Sequence, residues 1–167
     1  AALMIRTAEY RAAGGLDGRF FAHMEEIDLC WRLRARGSRI LCVPQSTVYH
    51  VGGATLSKSN PKKTYLNFRN NLLMLYKNLP QEELRSVMRM RCLLDYVAAL
   101  KFLLAGGFGD FKAVIRARSD YRKMRDSYAA VRKENLAKTV EKGSGCRSRL
   151  MILWHYHFCG KKFYSEL

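Results

Sequence analysis

Short apolar runs interrupt the first third of the chain and predict three strands. They cover residues 1–6, 39–44 and 47–51. Each run is only five or six residues long, and glycine or proline lies close to its end in two of the three. Short runs of this kind are typical of buried strands.

Elsewhere the apolar residues recur every three or four positions, the period that predicts an amphipathic helix. In the helix expected over 26–36, Leu29 and Leu33 form the inward side, and Gly37 ends it. Phe20, Phe21 and Met24 are expected to pack beneath its start. The predicted helices cover residues 8–13, 26–36, 64–79, 82–104 and 111–137.

Charge changes this picture more than composition does. The chain has 167 residues, enough for one domain with a sizeable core. Its formal net charge is +16, which attracts polyanions such as nucleic acid, anionic lipid or phosphorylated small molecules. The apolar run within 82–104 covers about 14 residues, short of the roughly 20 that a spanning helix needs. A core helix or an interfacial helix is therefore expected there.

Five scattered cysteines and no CxxC pair predict reduced thiols in the cytosol and no disulfide framework. No signal peptide is recognisable. The opening residues read as the middle of a protein, so we expect the chain to be a fragment.

Three acids, Glu25, Glu26 and Asp28, stand within four residues at the predicted start of a helix. Acids in this position commonly stabilise the helix dipole, each by a few tenths of a kcal/mol or so. Crowded carboxylates also raise one another's pKa, and one at a pocket mouth can accept a proton from a hydroxyl. The composition alone favours the first of these interpretations.

Two further places carry ligand-type side chains. His50 ends the third predicted strand but has no neighbouring metal-ligand pattern, so its partners would have to come from elsewhere. His155, His157 and Cys159 alternate near the C-terminus, where a metal site competes with an aromatic amphipathic tail. The loop over 55–63, rich in hydroxyls and lysines, could hold phosphate.

The second half of the chain is basic, and three interpretations of it stay open. No RNP, KH or zinc-finger pattern accompanies the basic helices, so charge alone argues weakly for nucleic acid. Basic residues beside an apolar helix suit an anionic membrane surface at least as well. A solvated helical face is the third possibility.

Taken together, several stretches resemble the C-terminal half of a bacterial family 2 glycosyltransferase, rhamnosyltransferase-like, inverting and non-processive. The resemblance spans roughly the first 80 residues, and the combination of stretches is more specific than any one of them. The stretches are ALMIR, GGLDGRFFAHMEEIDLCWRLRARG, RILCVPQSTVYHVGGATL and SKSNPKKTYLNFRNNLLMLYKN.

The resemblance implies an α/β fold class: a partial GT-A (Rossmann-like) half over 1–79, followed by a helical, basic and possibly membrane-associated extension over 80–167. The missing nucleotide-binding half would precede residue 1. No Asp-x-Asp motif and no Gln-x-x-Arg-Trp signature is present. We therefore expect transfer of one sugar at a time, and no activity from the fragment alone.

The resemblance also implies roles for single residues. Glu26 would be the general base, standing where the family often has Asp, with Glu25 before it and Asp28 organising the helix start. His50 matches a ligand of the divalent metal, Mg or Mn, that holds the donor diphosphate. From their charge and hydroxyl groups, Thr55, Ser57, Lys58 and Arg69 are expected to close over that diphosphate.

The expected partners are a nucleotide-sugar donor, a lipid-linked or glycan acceptor, and an anionic membrane surface, with no nucleic acid. The expected location is cytoplasmic, peripheral at the inner face of the cytoplasmic membrane. The alternative is a basic nucleic-acid-binding or helical adaptor module without catalysis.

Overall fold

The computed structural model describes residues 2–49, 60–140 and 159–160. Six α-helices lie in these ranges, with 3₁₀ turns at Gly18–Phe20 and Arg125–Tyr128. The helices are α1 (Thr7–Ala12), α2 (Glu25–Ala35), α3 (Pro61–Asn78), α4 (Gln81–Leu104), α5 (Phe108–Met124) and α6 (Ala129–Ala137).

Helix α3 lies at the centre of the bundle and contacts α2, α4, α5 and α6. Its start is well specified, because the Asn60 side chain accepts a hydrogen bond from the Lys62 amide and Pro61 occupies the first turn. Its buried residues include three polar side chains beside the apolar ones, and all three hold the site described below. The buried set is Leu66, Asn70, Leu72, Leu73, Met74, Lys77 and Asn78.

The main apolar core forms where α3 meets α5 and the second 3₁₀ turn. Phe20 and Tyr128 are both fully buried in it. The Tyr76 and Tyr121 rings meet edge to face with their centroids 6.4 Å apart. A smaller cluster of Ala13, Leu29 and Leu33 holds α2 against the segment after α1, so the predicted inward side of α2 is confirmed.

The predicted α/β fold class is wrong, because the described residues form a helical bundle without a strand. Residues 2–6 and 39–49 belong to no helix or strand, and residues 50–51 of the third predicted strand lie outside the described part. Leu41 is 74% exposed. A strand needs a neighbouring strand to satisfy its backbone, and no described segment offers one. The expected partial GT-A (Rossmann-like) half is therefore wrong as well.

The predicted helices are confirmed, with differences at their ends. Helix α3 begins three residues earlier than expected, and the helix expected over 111–137 is divided by the 3₁₀ turn at Arg125–Tyr128. Helices α3 and α5 pack together across the predicted boundary between residues 79 and 80. That boundary stays a prediction.

Candidate catalytic site at the start of helix α2

Three non-glycine residues with left-handed or related backbone angles lie directly before α2. Phe21, His23 and Met24 have φ values of 65°, 69° and 73°. Such a conformation costs an L-residue roughly 1–2 kcal/mol and persists only where its surroundings hold it. Strain of this kind is concentrated at functional sites, and here it immediately precedes Glu25 and Glu26.

Asn70, on the central helix α3, holds this strained loop. Its side-chain nitrogen lies 2.9 Å from the carbonyl oxygen of Phe20, 2.8 Å from that of Ala22 and 2.9 Å from that of His23. Asn70 is fully buried, and its side-chain oxygen accepts hydrogen bonds from Arg69. One amide therefore fixes the backbone that leads into the acid cluster.

Arg69 extends the same clamp. Its guanidinium donates to the carbonyl oxygens of Arg19 and Phe20, at 2.9 and 3.3 Å. A longer contact of 3.4 Å joins it to the Tyr65 hydroxyl. The structure thus places this predicted diphosphate ligand on the backbone of the 3₁₀ turn.

The two glutamates occupy different environments. Glu26 is exposed, whereas Glu25 is half-buried. One carboxylate oxygen of Glu25, Oε2, is buried without a hydrogen-bond partner among the described residues. The same holds for His23 Nε2 and Asn71 Oδ1. Buried polar atoms are nearly always hydrogen-bonded, so three such atoms around one helix start indicate a place where a polar ligand or water completes the bonding.

The charge of Glu26 affects the pKa of Cys30, one turn along the helix. Burial first, and then the Glu26 carboxylate, raise the pKa of the Cys30 thiol. Cys30 is thereby kept in its neutral thiol form and is no candidate nucleophile.

Apolar side chains, Phe21 and Ile27, are exposed near Glu26 in the sequence. The expected packing of Phe20 and Met24 is confirmed, but that of Phe21 is wrong, because its side chain is 63% exposed and its ring lies beside Lys62 Nζ.

Asp28 lies on the buried side of α2, at the centre of a network of ions. Its Oδ2 atom accepts from Arg32 Nη2 and Lys77 Nζ, each at 2.9 Å, and its Oδ1 atom accepts from Asn78 at 2.8 Å. Asp28 is fully buried and Lys77 nearly so. Both oxygens are therefore occupied by neighbours that are themselves fixed.

The network continues from α2 to the loop that precedes it. Lys77 Nζ also lies 2.8 Å from Asp17, and Arg32 donates to the carbonyl oxygens of Ala13 and Gly15. Although burial alone would raise it, the hydrogen bond and charge of Lys77 lower the pKa of Asp17. Asp28 thus ties α2, α3 and the 13–17 loop together.

The remaining predicted ligands lie outside the described residues. They are His50, Thr55, Ser57 and Lys58, together with His155 and His157 near the C-terminus. Within the described ranges, no three His, Cys, Asp or Glu side chains come together as a metal site requires.

Sequence reasoning missed His23, Asn70 and Asn71. Asparagine inside a helix is a weak helix former, and two adjacent asparagines at the centre of α3 are a signal that polar groups are needed there.

No protein family, curated protein or solved structure was found to match the chain.

Proposed function

We propose that this chain forms part of an inverting glycosyltransferase in which Glu26 is the general base. The observation that carries the proposal is the clamped left-handed loop directly before an exposed glutamate. The sequence resemblance supplies the reaction class. The described residues lack the α/β layer that the resemblance implied.

The division among the three acids supports Glu26 as the base. Both oxygens of Asp28 are occupied by Arg32, Lys77 and Asn78, so a proton could reach them only if a buried ion pair broke. Glu26 is exposed and has no such network among the described residues. A general base must reach the proton that it removes, which requires an accessible carboxylate such as that of Glu26.

The proposed reaction moves one sugar from a nucleotide-sugar donor to an acceptor hydroxyl. The Glu26 carboxylate accepts the hydroxyl proton while the hydroxyl oxygen bonds to the anomeric carbon. The bond from that carbon to the diphosphate oxygen breaks, and its electron pair leaves with the nucleoside diphosphate. Attack from the face opposite the leaving group inverts the anomeric centre.

The buried atoms around the helix start would position the acceptor. Glu25 Oε2 and Asn71 Oδ1 are hydrogen-bond acceptors without partners among the described residues. Both atoms are buried, so the helix start would have to open for the acceptor hydroxyls to reach them. A sugar presents several hydroxyl donors, and pairing with them removes the free-energy cost of the unsatisfied atoms. The exposed Phe21 and Ile27 offer apolar surface on which a sugar ring or a lipid carrier can rest.

The test uses the complete natural polypeptide that carries these residues. Release of nucleoside diphosphate is measured with a panel of nucleotide sugars and with lipid-linked and glycan acceptors. We expect Glu26→Gln to lower the transfer rate by about 10²- to 10⁴-fold, the usual contribution of a general base. Donor binding, followed by calorimetry, should persist.

Glu82→Gln is the matched control, because Glu82 is an exposed acid in the first turn of α4. It should leave the rate unchanged. Wild-type activity in Glu26→Gln would refute the base assignment, and no transfer by the native polypeptide with any donor would refute the reaction class.

A further inference from the structure

Helix α4 exposes a continuous stripe of aliphatic side chains. Its members follow one another at intervals of three and four residues, so they share one face of the helix. Leu93 is 61% exposed and Leu104 is 80% exposed. The stripe consists of Met90, Leu93, Val97, Leu100 and Leu104.

The opposite face of α4 is fixed against α5, which prevents the stripe from turning inward. Asp95 is fully buried, and its carboxylate oxygens lie 2.6 Å from Arg91 and 2.6 Å from Arg118 of α5. Ala99, one turn further, is also buried. Rotating the helix would expose this ion pair and bury leucines in its place, so the stripe stays outside.

The exposed charges of α4 beside the stripe are positive, whereas the exposed Glu82 lies in the first turn of the helix, eight residues before Met90. From Arg85 to Leu104, the exposed charged residues of α4 are Arg85, Arg89 and Lys101. The acid in this stretch, Asp95, is buried and paired with arginines. An aliphatic stripe bordered by cations complements a surface that is apolar below and anionic above.

No helix in the described part of the chain is long and apolar enough to cross a membrane. We propose that the stripe of α4 is a docking surface for an anionic membrane, with α4 lying in the plane of the interface. The leucines and Val97 would enter the boundary of the acyl chains. Arg85, Arg89 and Lys101 would contact lipid phosphates.

Other occupants fit the stripe less well. A second copy of the chain would bring the same cations against one another, which opposes association. A nucleic acid would pair with the cations but leave the aliphatic side chains in water. The inference is independent of the glycosyl transfer proposed above, since its test involves neither donor nor acceptor.

The experiment is flotation of the purified chain with vesicles of phosphatidylcholine, alone or mixed with phosphatidylglycerol. We expect binding to the mixed vesicles only. Raising the salt from about 0.1 M to about 1 M shortens the screening length from about 10 Å to about 3 Å and should release most of the protein.

Two triple variants test the two components of the surface. Substituting Gln for Leu93, Val97 and Leu100 removes apolar area and should weaken vesicle binding at least about tenfold. Substituting Gln for Arg85, Arg89 and Lys101 removes the charges and should weaken binding to the anionic vesicles by a similar factor.

Each variant has a matched control elsewhere on the exposed surface. The apolar control replaces Leu41, Val43 and Val48 with Gln, and the charge control replaces Arg11, Arg39 and Lys133 with Gln. Both controls should bind like the native chain. Circular dichroism of every variant shows whether its helices are intact.

Three results would overturn the proposal. The first is failure of the folded native chain to float with anionic vesicles. The second is an equal loss of vesicle binding in one of the two triple variants and in its matched control. The third is a dimer in sedimentation that the Leu93, Val97 and Leu100 variant alone abolishes, which would assign the stripe to a second copy.

Discussion

Glu26 and Asp28 stand two residues apart on helix α2, yet the bundle gives them opposite surroundings. Asp28 is fully buried among two cations and an amide, whereas Glu26 is exposed beside a strained loop. Residues two positions apart on a helix point to different faces, so these two side chains lie in different surroundings although they are close in the sequence. Their position on the helix, rather than their common carboxylate chemistry, decides their roles.

The Asp28 side is built for stability and the Glu26 side for access. Around Asp28, every ion has a partner, and the partners come from α2, α3 and the loop before α2. Around Glu26, the backbone adopts unfavourable angles, and three buried polar atoms lack hydrogen-bond partners in the described part of the chain. Removing a member of the Asp28 network should therefore mainly lower the free energy of unfolding, whereas removing the Glu26 carboxylate should mainly lower the transfer rate.

The largest effect is expected for Asp28→Asn. Arg32 would remain buried without a counter-charge and Lys77 would keep only Asp17, which should lower the free energy of unfolding by about 3–5 kcal/mol. Urea denaturation followed by circular dichroism measures it. Glu26→Gln, two residues away and exposed, should change the same quantity by less than about 0.5 kcal/mol. Equal effects in the two variants would erase the distinction between the two sides.

A smaller loss is expected for Asn70→Ala. The carbonyl oxygens of Phe20, Ala22 and His23 would lose their shared donor, which should lower the free energy of unfolding by about 2 kcal/mol. Asn67→Ala, a half-buried position on the same helix, is the control and should cost far less. A loss no greater than that of the control would show that Asn70 does not hold the loop.

His23→Gly should act in the opposite direction on stability. Glycine adopts the φ of 69° found at His23 at little cost, so the free energy of unfolding should rise by about 1 kcal/mol. The transfer rate of the complete polypeptide should fall, because the loop before Glu26 would loosen. A variant that is both more stable and equally active would show that the strain serves no function.

The smallest effect concerns acid pH and Asp17. Because its pKa is lowered in the folded state, Asp17 contributes stability above the ordinary value of 3.8 and loses it as the pH falls through the folded pKa. The stability gap between the native chain and Asp17→Asn should therefore narrow below pH 3.8. Urea denaturation at several pH values measures the gap, and a constant gap would contradict the assigned contact with Lys77.

The helices could be predicted from the sequence because apolar residues recur every three to four positions over several turns. The strands could not, since a short apolar run fits an exposed loop as well as a strand. Leu41 and Val43 show this directly, because both are exposed in a segment without strand partners.

The acid cluster was recognisable, but the division within it was not. Lys77 is 49 positions from Asp28 in the sequence, and Asn70 is 47 positions from His23. No local pattern reports contacts at such separations. His23 and Met24 have left-handed backbone angles although neither is a glycine, so the sequence does not announce this conformation. The side-chain amide of Asn70, on another helix, holds the backbone there.

The most direct test of this division is one transfer assay on the complete natural polypeptide and its Glu26→Gln and Glu82→Gln variants, with unfolding measured on the same samples. We predict that Glu26→Gln unfolds like the native protein but loses about 10²- to 10⁴-fold in rate, while Glu82→Gln loses nothing. Unchanged transfer by a folded Glu26→Gln variant would contradict the assignment of Glu26 as the base.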